Sequence, residues 1–341
     1  MNVNFQSFAK QGKACRDMGS PFTANILETL SNVLDETTLT GRRISAWSVE
    51  PLADALPLRL AGGLHAIARR GADPALTALY EDFSGDVAAT LGAALIAYDS
   101  ELVTWLDSPP QTNEVGRSGA LYAGLLVIAD RFDQPIELLE LGASAGLNLN
   151  LDRFSYVLGG ETFCDAASAV KIAPQWQGKP PPKAEPSILV RSGVDLIPLD
   201  VSDKLVAERL IAYVWPDQSE RLARIAAAIA VAHEYPPRVD AGDAADWLER
   251  TLKLPQVEQT VRVIMHSVFW QYLPQKSQQK IADLIAKASE QATDERPLAY
   301  LTFEAGTSLY SMALKLKTWP VGRAQTLANC HPHATSIDWL V

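Results

Sequence analysis

A chain of 341 residues with 48% hydrophobic and 21% charged side chains has the composition of a globular protein large enough to bury a full core. Its formal net charge of −10, with no basic run beyond the doublets Arg42-Arg43 and Arg69-Arg70, disfavours a phosphate backbone, so nucleic acid is not an expected partner. Cys15, Cys164 and Cys330 are odd in number and far apart, which fits free thiols in a reducing cytoplasm better than disulfides or zinc ligands. The start of the chain lacks the pattern of a secretory leader. The apolar stretches 87–98 and 118–129 fall short of the roughly 20 residues that span a bilayer, so no membrane association is expected.

From the first residue to about Pro135 the apolar positions recur at three and four, which predicts helices over 5–15, 22–34, 58–70, 73–80, 86–106 and 119–132. Gly19-Ser20-Pro21, Pro57, Gly71 and Pro109-Pro110 punctuate them. Residues 1–118 therefore read as a helical N-terminal cap or subdomain. From Ile136 the pattern changes to strands alternating with amphipathic helices, the signature of a mostly parallel sheet. Strands are predicted at 136–141, 187–196, 238–241, 261–266 and 298–304, and helices at 219–234, 244–252 and 275–291. Two further strand runs, 311–319 and 335–340, with no long helix between them, predict an antiparallel finish. Residues 119–341 thus form the expected α/β core, interrupted over about 158–186 by a segment ending in G-K-P-P-P-K-A-E-P, which should be extended and locally stiff.

The segment I-E-L-L-E-L-G-A-S-A-G-L-N at 136–148 carries the most chemical information: a strand running into a small-residue turn and then a helix. Parsed as E-x-G-x-S-x-G, it is close to the E/D-x-G-x-G-x-G loop with which Rossmann-like methyltransferases hold S-adenosylmethionine. Gly142, Ala143, Ser144 and Gly146 would then let the backbone approach the cofactor, with Glu140 and Asn148 beside them. Parsed as G-x-S-x-G, it is the nucleophile elbow of an α/β-hydrolase, with Ser144 as nucleophile, Glu304 or Asp243 as acid and His331 or His333 as base. Against the hydrolase stand the mainly helical residues before the first strand and the lack of an H-G-G-G-type segment.

Later positions favour the cofactor loop by their order. Asp195 ends a predicted strand, where a carboxylate can bind ribose hydroxyls, and Asp243 follows the next strand in a G-D-A turn suited to adenine. Helix capping or a turn is the equally available structural role for each. Asp195 lies 49 residues beyond Gly146, farther than the usual ~20. Either 158–186 is an insertion, the favoured reading, or Glu161 is the ribose acid. Arg117 and Asn113 precede the helix that feeds the first core strand, where a polar residue can reach a methionine carboxylate and an Arg can fork it; a surface salt bridge or helix cap is the equally available role. His266 at a strand end is the candidate general base, with Glu304 second. Trp270 and Tyr272 are candidate acceptor walls, and Trp215 and Arg221 candidate substrate-lining residues, with Asp217 beside them read as a helix cap. The spacing of the histidines supports no metal site.

The runs Q-T-N-E-V-G-R (111–117), E-L-G-A-S-A-G-L-N-L (140–149), G-V-D-L-I-P-L-D-V (193–201), V-W-P-D-Q-S-E-R-L (214–222), H-S-V-F-W-Q-Y-L (266–273) and the late H-P-H together resemble a bacterial family known as domain of unknown function 2332. The resemblance spans nearly the whole chain. It implies a methyltransferase-like fold and no particular substrate, with Glu140, Gly142, Gly146 and Asp195 in cofactor-loop positions. The sequence expectation is thus an S-adenosylmethionine-dependent methyltransferase acting on a small molecule. Its alternatives are a serine hydrolase and a non-catalytic binder of the same fold. Oligomeric state is not legible.

Overall fold

The computed structural model describes residues 2–164, 167–306 and 311–341. Two residues of the expected insertion, 165 and 166, lie outside the described residues. Contacts divide the chain into two compact units, one of residues 1–112 with Asp203–Ala223 and one of 113–202 with Arg224–Val341. The expected boundary at 118/119 compares with an observed one at 112/113. The helical unit also takes a second segment, 203–223, from within the expected core.

The helical unit carries α1 (Val3–Asp17), α2 (Pro21–Val33), α3 (Leu39–Ser45), α4 (Leu56–Arg69), α5 (Pro74–Asp82), α6 (Val87–Ala97), α7 (Asp99–Trp105) and, later in the chain, α9 (Lys204–Ala212). Asp73 and Asp86 begin α5 and α6 by accepting from Leu76 N–H and Ala89 N–H, satisfying amides that a helix start leaves open. One apolar core holds the unit together, with Phe8, Ile26, Leu27, Leu60 and Leu64 buried in it and Trp215 packed against it. The single helix expected over 86–106 is two helices meeting at Tyr98, bent by 91°. Among the described residues no single helix is long and apolar enough to cross a membrane.

Asp217 caps a helix, as its position suggests, but the helix is α2. Ser20 makes no side-chain cap there; instead the Asp217 carboxylate accepts from Phe22 N–H at 2.9 Å and from the Thr23 hydroxyl at 2.8 Å. Asp217→Ala is expected to lower stability by about 1 kcal/mol, the usual loss for an N-cap, measurable as a shift of the urea midpoint at constant slope.

In the sheet unit, α8 (Ser118–Phe132) leads into β1 (Ile136–Leu141), and nine strands follow the order β5-β12-β11-β10-β9-β8-β1-β6-β7. The strands β6 (Ile188–Asp195), β7 (Val239–Ala241), β8 (Val261–Ser267) and β9 (Leu298–Ala305) run parallel to β1. Then β10 (Met312–Trp319), β11 (Arg323–Cys330) and β12 (Ser336–Trp339) add as an antiparallel meander. β11 was not expected from the sequence, because R-A-Q-T-L-A-N-C has no clean alternation.

After α10 (Ser219–Glu234), one face of the sheet is closed by α11 (Ala244–Leu252) and α12 (Gln275–Ser289), whose Trp247, Leu248, Ile281 and Ile285 pack with Leu139, Leu141, Ile264 and Leu298. Alternation along the strands then sends Glu140 to the opposite face, the one on which Gly124 of α8 meets Leu301.

The connection from β1 to β6 departs from a simple crossover helix. It starts as a 3-10 turn over Leu147–Arg153, kinked at Asn150, where a regular helix was expected. It continues through a small sheet of β2 (Ser155–Leu158), β3 (Glu161–Phe163) and β4 (Lys171–Ile172). Then β5 (Gln175–Gln177) pairs with β12 at the far edge of the large sheet before the chain returns to β6. Tyr156 of this strap stacks on Tyr122 of α8 at 4.4 Å, and Trp176 packs on Trp339 at 5.3 Å.

Candidate functional site

Strand order reverses beside β1: the chain leaves it toward β6 and β7, then returns to lay β8 and β9 on its other flank. In open α/β sheets ligands bind at the carboxyl ends of the strands at such a reversal. The loops after β1, β6 and β8 meet there, and two residues beside β1 and β8 sit in the left-handed region, Ser144 at φ 54° and Val268 at φ 50°. For a β-branched residue such as Val268 that conformation is an outlier, of a kind that clusters at functional sites.

The glycines of the first loop have identifiable neighbours. Gly142 (φ +70°) has the Phe269 ring where a Cβ would stand, 2.2 Å from it, and Gly146 (φ +71°) lies against Pro237 and Val239. The loop is tied to β6 by Gly142 N–H and Ala143 N–H donating to Val194 O. The Asp195 carboxylate accepts from Ser144 N–H at 2.8 Å and from Ile197 N–H at 3.0 Å. Asn113 accepts from Leu147 N–H at 2.8 Å, fixing the start of the 3-10 turn.

Inside this framework three polar atoms are buried without a partner among the described residues: Glu140 Oε2, Ser144 Oγ and Asn148 Oδ1. Such atoms are rare and call for an explanation. Burial, followed by the negative charge of Asp195, pushes the Glu140 carboxyl up to about 8. Beside the loop, Ala145, Leu199, Val201, His233, Pro237 and Val239 line a cleft of about 430 Å³, within the size range of small-ligand pockets.

A second group lies on the α12 face. His266 pairs in register with Thr302 on β9, so Tyr300 and Glu304, two residues either side, flank its ring. His266 Nδ1 is 2.6 Å from Glu304 Oε1, and Nε2 is 2.7 Å from the Tyr300 hydroxyl. Burial raises the Tyr300 phenol, which keeps its proton and donates it to Nε2; Nδ1–H then donates to Glu304. Trp270 stacks on the imidazole at 5.5 Å. Glu304 Oε1 also accepts from Phe269 N–H at 3.0 Å and Trp270 N–H at 3.2 Å.

His266, the expected general base, sits inside this network. Its ring is 1% exposed and both nitrogens are engaged, by Glu304 and Tyr300, so neither is open to solvent in this structure. Glu304, with a side chain 20% exposed, is the reachable member. The sequence reading missed Tyr300, although alternation in L-A-Y-L-T-F-E places Tyr300, Thr302 and Glu304 on one face.

Other expected residues are placed as follows. Asp243 caps α11, accepting from Ala245 N–H and Asp246 N–H. Arg117 Nε donates to Pro332 O at 3.2 Å. Glu161 sits in the small sheet, 3.0 Å from Lys183 Nζ, whereas Asp195 ends the strand next to β1. Trp215 and Arg221 belong to the helical unit, and Arg221 bonds the Gln218 side chain. Trp270 is half-buried, and Tyr272 is 74% exposed.

The hydrolase arrangement is not assembled. Ser144 Oγ is buried with no hydrogen bond, Asp243 is spent on a helix cap, and Glu304 is bonded to His266. Among the described residues no three of His, Cys, Asp or Glu gather as metal ligands.

These features define an α/β protein with a glycine-containing loop at the strand-order reversal and a buried histidine network at the end of β8. The chain belongs to the family described as an uncharacterized protein conserved in bacteria, DUF2332, whose sequence model matches residues 6–339. No curated protein matches it.

Proposed function

We propose that the protein is an S-adenosylmethionine-dependent methyltransferase acting on a small molecule. The observation that carries the reading is the set of buried, unpartnered acceptors, Glu140 Oε2, Ser144 Oγ and Asn148 Oδ1, on the loop at the strand-order reversal. Oxygen atoms of this kind call for donors, and a carboxyl among them favours a cation. With Asp195 and Asp243 at the neighbouring strand ends, the loop is acidic, which disfavours the phosphates of a dinucleotide. A nucleoside that carries ammonium and sulfonium charge and no phosphate is the ligand this lining suits.

Glu140, Ser144 and Asn148 would hold the amino-acid end. Asp195 already accepts two backbone amides, but each carboxylate oxygen keeps a lone pair for a ribose hydroxyl. Leu196 and Ile197, 71% and 67% exposed just after it, offer apolar surface to a purine. The bound cofactor supplies an activated methyl group, so the protein has to orient the acceptor and exclude water more than it has to activate anything.

Calorimetric titration with S-adenosylmethionine and S-adenosylhomocysteine tests this. Saturable binding of both is expected, weakened at least tenfold by Asn148→Leu, which removes one acceptor and fills its space. A folded wild-type protein that binds neither would end the reading.

A further inference from the structure

Glu304 is held in an unusual way. One of its oxygens, Oε1, accepts three donors: His266 Nδ1–H, Phe269 N–H and Trp270 N–H. The other, Oε2, has no partner among the described residues, and the side chain is 20% exposed. The carboxylate is therefore anchored through one oxygen and presents the second. Its anchoring is costly to build: Val268 takes a left-handed backbone to bring the next two amides to Oε1, and a buried histidine, fixed from behind by Tyr300, supplies the third donor. A loop that needed only a cap would not require this oriented second oxygen at the carboxyl edge of the sheet.

The histidine that holds Oε1 is flanked by aromatic rings, Trp270 stacked on it at 5.5 Å and Phe269 edge-on at 5.8 Å. The two residues whose amides hold Oε1 are Phe269 and Trp270, both half-buried. A negative oxygen next to aromatic rings, whose faces are also negative, is matched by a protonated amine: the ammonium gives a charge-assisted hydrogen bond to the carboxylate and cation–π contact to the rings. An anion would be repelled, and a neutral hydroxyl would gain only an ordinary hydrogen bond.

We propose that Glu304 Oε2, with Phe269 and Trp270, is a seat for a protonated amine, the handle by which the small-molecule substrate is held. The seat stands on its own geometry; only naming its occupant the methyl acceptor rests on the methyltransferase reading.

The test compares three molecules of one shape on the full chain: phenethylamine, 2-phenylethanol and 3-phenylpropionate, titrated by calorimetry and by saturation-transfer NMR. Phenethylamine should bind saturably and at least tenfold more tightly than the other two. Glu304→Gln is the informative variant, because the amide oxygen can still accept the three donors while the charge at the second position is lost. It should abolish the preference for the amine over the alcohol and leave S-adenosylhomocysteine binding and the melting temperature unchanged. Trp270→Leu should weaken the amine several-fold while leaving the alcohol less affected. Equal binding of the three molecules, an undiminished preference in Glu304→Gln, or no saturable binding of phenethylamine to the folded protein would overturn the proposal. Amine binding without S-adenosylhomocysteine binding would instead sink the methyltransferase reading and leave the seat standing.

Discussion

Glu140→Gln is expected to abolish a loss of stability that the wild-type protein suffers as pH rises from about 4.5 to about 8. The ordinary value for a glutamate is 4.5, and in the folded protein burial, with the Asp195 charge behind it, pushes Glu140 up to about 8. Below the ordinary value the group is protonated in both folded and unfolded chains, so its contribution is fully present. Between the two values the unfolded chain gives up the proton and the folded chain keeps it. The folded state then binds more protons, and the free energy of unfolding falls as pH rises, levelling off above about 8. At ~1.4 kcal/mol for each pH unit of that window, the full loss is about 5 kcal/mol. Glutamine does not titrate, so the difference between variant and wild type should grow steadily across the window. Urea midpoints of both proteins at pH 5, 6, 7 and 8 check it, and parallel curves would refute it.

The same carboxyl links stability to ligand. A cation beside Glu140 favours its ionised form, so at pH 7 binding should release a proton and tighten as pH rises toward 8. Titrations of S-adenosylmethionine in two buffers of different ionisation enthalpy would show the release, and Glu140→Gln should lose it.

Much of the sheet was legible because its strands are apolar runs bounded by turn residues. Residues 136–141, between Pro135 and Gly142, form β1 as expected, and the amphipathic stretches 219–234 and 244–252 form helices with the expected ends. Short elements whose ends are set by side-chain caps were not legible. Thr38 starts α3 by accepting from Gly41 N–H, and Asp203 starts α9 by accepting from Leu205 N–H. The segment after the glycine loop was expected to be a helix because a strand and glycine turn of this kind usually open one, although L-N-L-N-L itself alternates with a period of two. In the fold Asn150 is drawn out to donate to Tyr235 O, leaving a kinked 3-10 segment. That β5 of the strap pairs at the far edge of the sheet has no local signal at all, since pairing between distant segments is a tertiary choice.

At the site, the order of the acids along the chain could be read, but their occupation could not. Asp195 and Asp243 both hold backbone amides, which is the structural role weighed for each, and only Asp195 also lies beside the orphaned acceptors through its effect on Glu140. His266 and Glu304 were singled out separately. Their hydrogen bond follows from β8 and β9 being parallel neighbours, a relation the sequence does not state.

Gly142→Val is expected to be among the most damaging single changes in the sheet unit, lowering stability by about 2–5 kcal/mol. Two separate effects add. At φ +70° any side chain meets its own backbone, a strain of roughly 1–2 kcal/mol that a β-branched residue feels most. Its Cβ would also stand 2.2 Å from a carbon of the Phe269 ring, a contact that no rotamer relieves without moving the ring, and overpacking of this kind costs about 1–3 kcal/mol. The Phe269 ring also stands edge-on to His266 at 5.8 Å, so moving it disturbs a second contact. The two effects can be separated. Phe269→Ala removes the collision and leaves the backbone strain, so the double variant should be more stable than the two single losses predict, with a coupling of at least ~1 kcal/mol. Additive losses would mean that the glycine is required for its backbone conformation alone. A coupling would show that the loop after β1 and the loop after β8 are locked together through one ring, and would tie the unpartnered acceptors near Glu140 to the carboxylate seat at Glu304 as parts of one rigid frame.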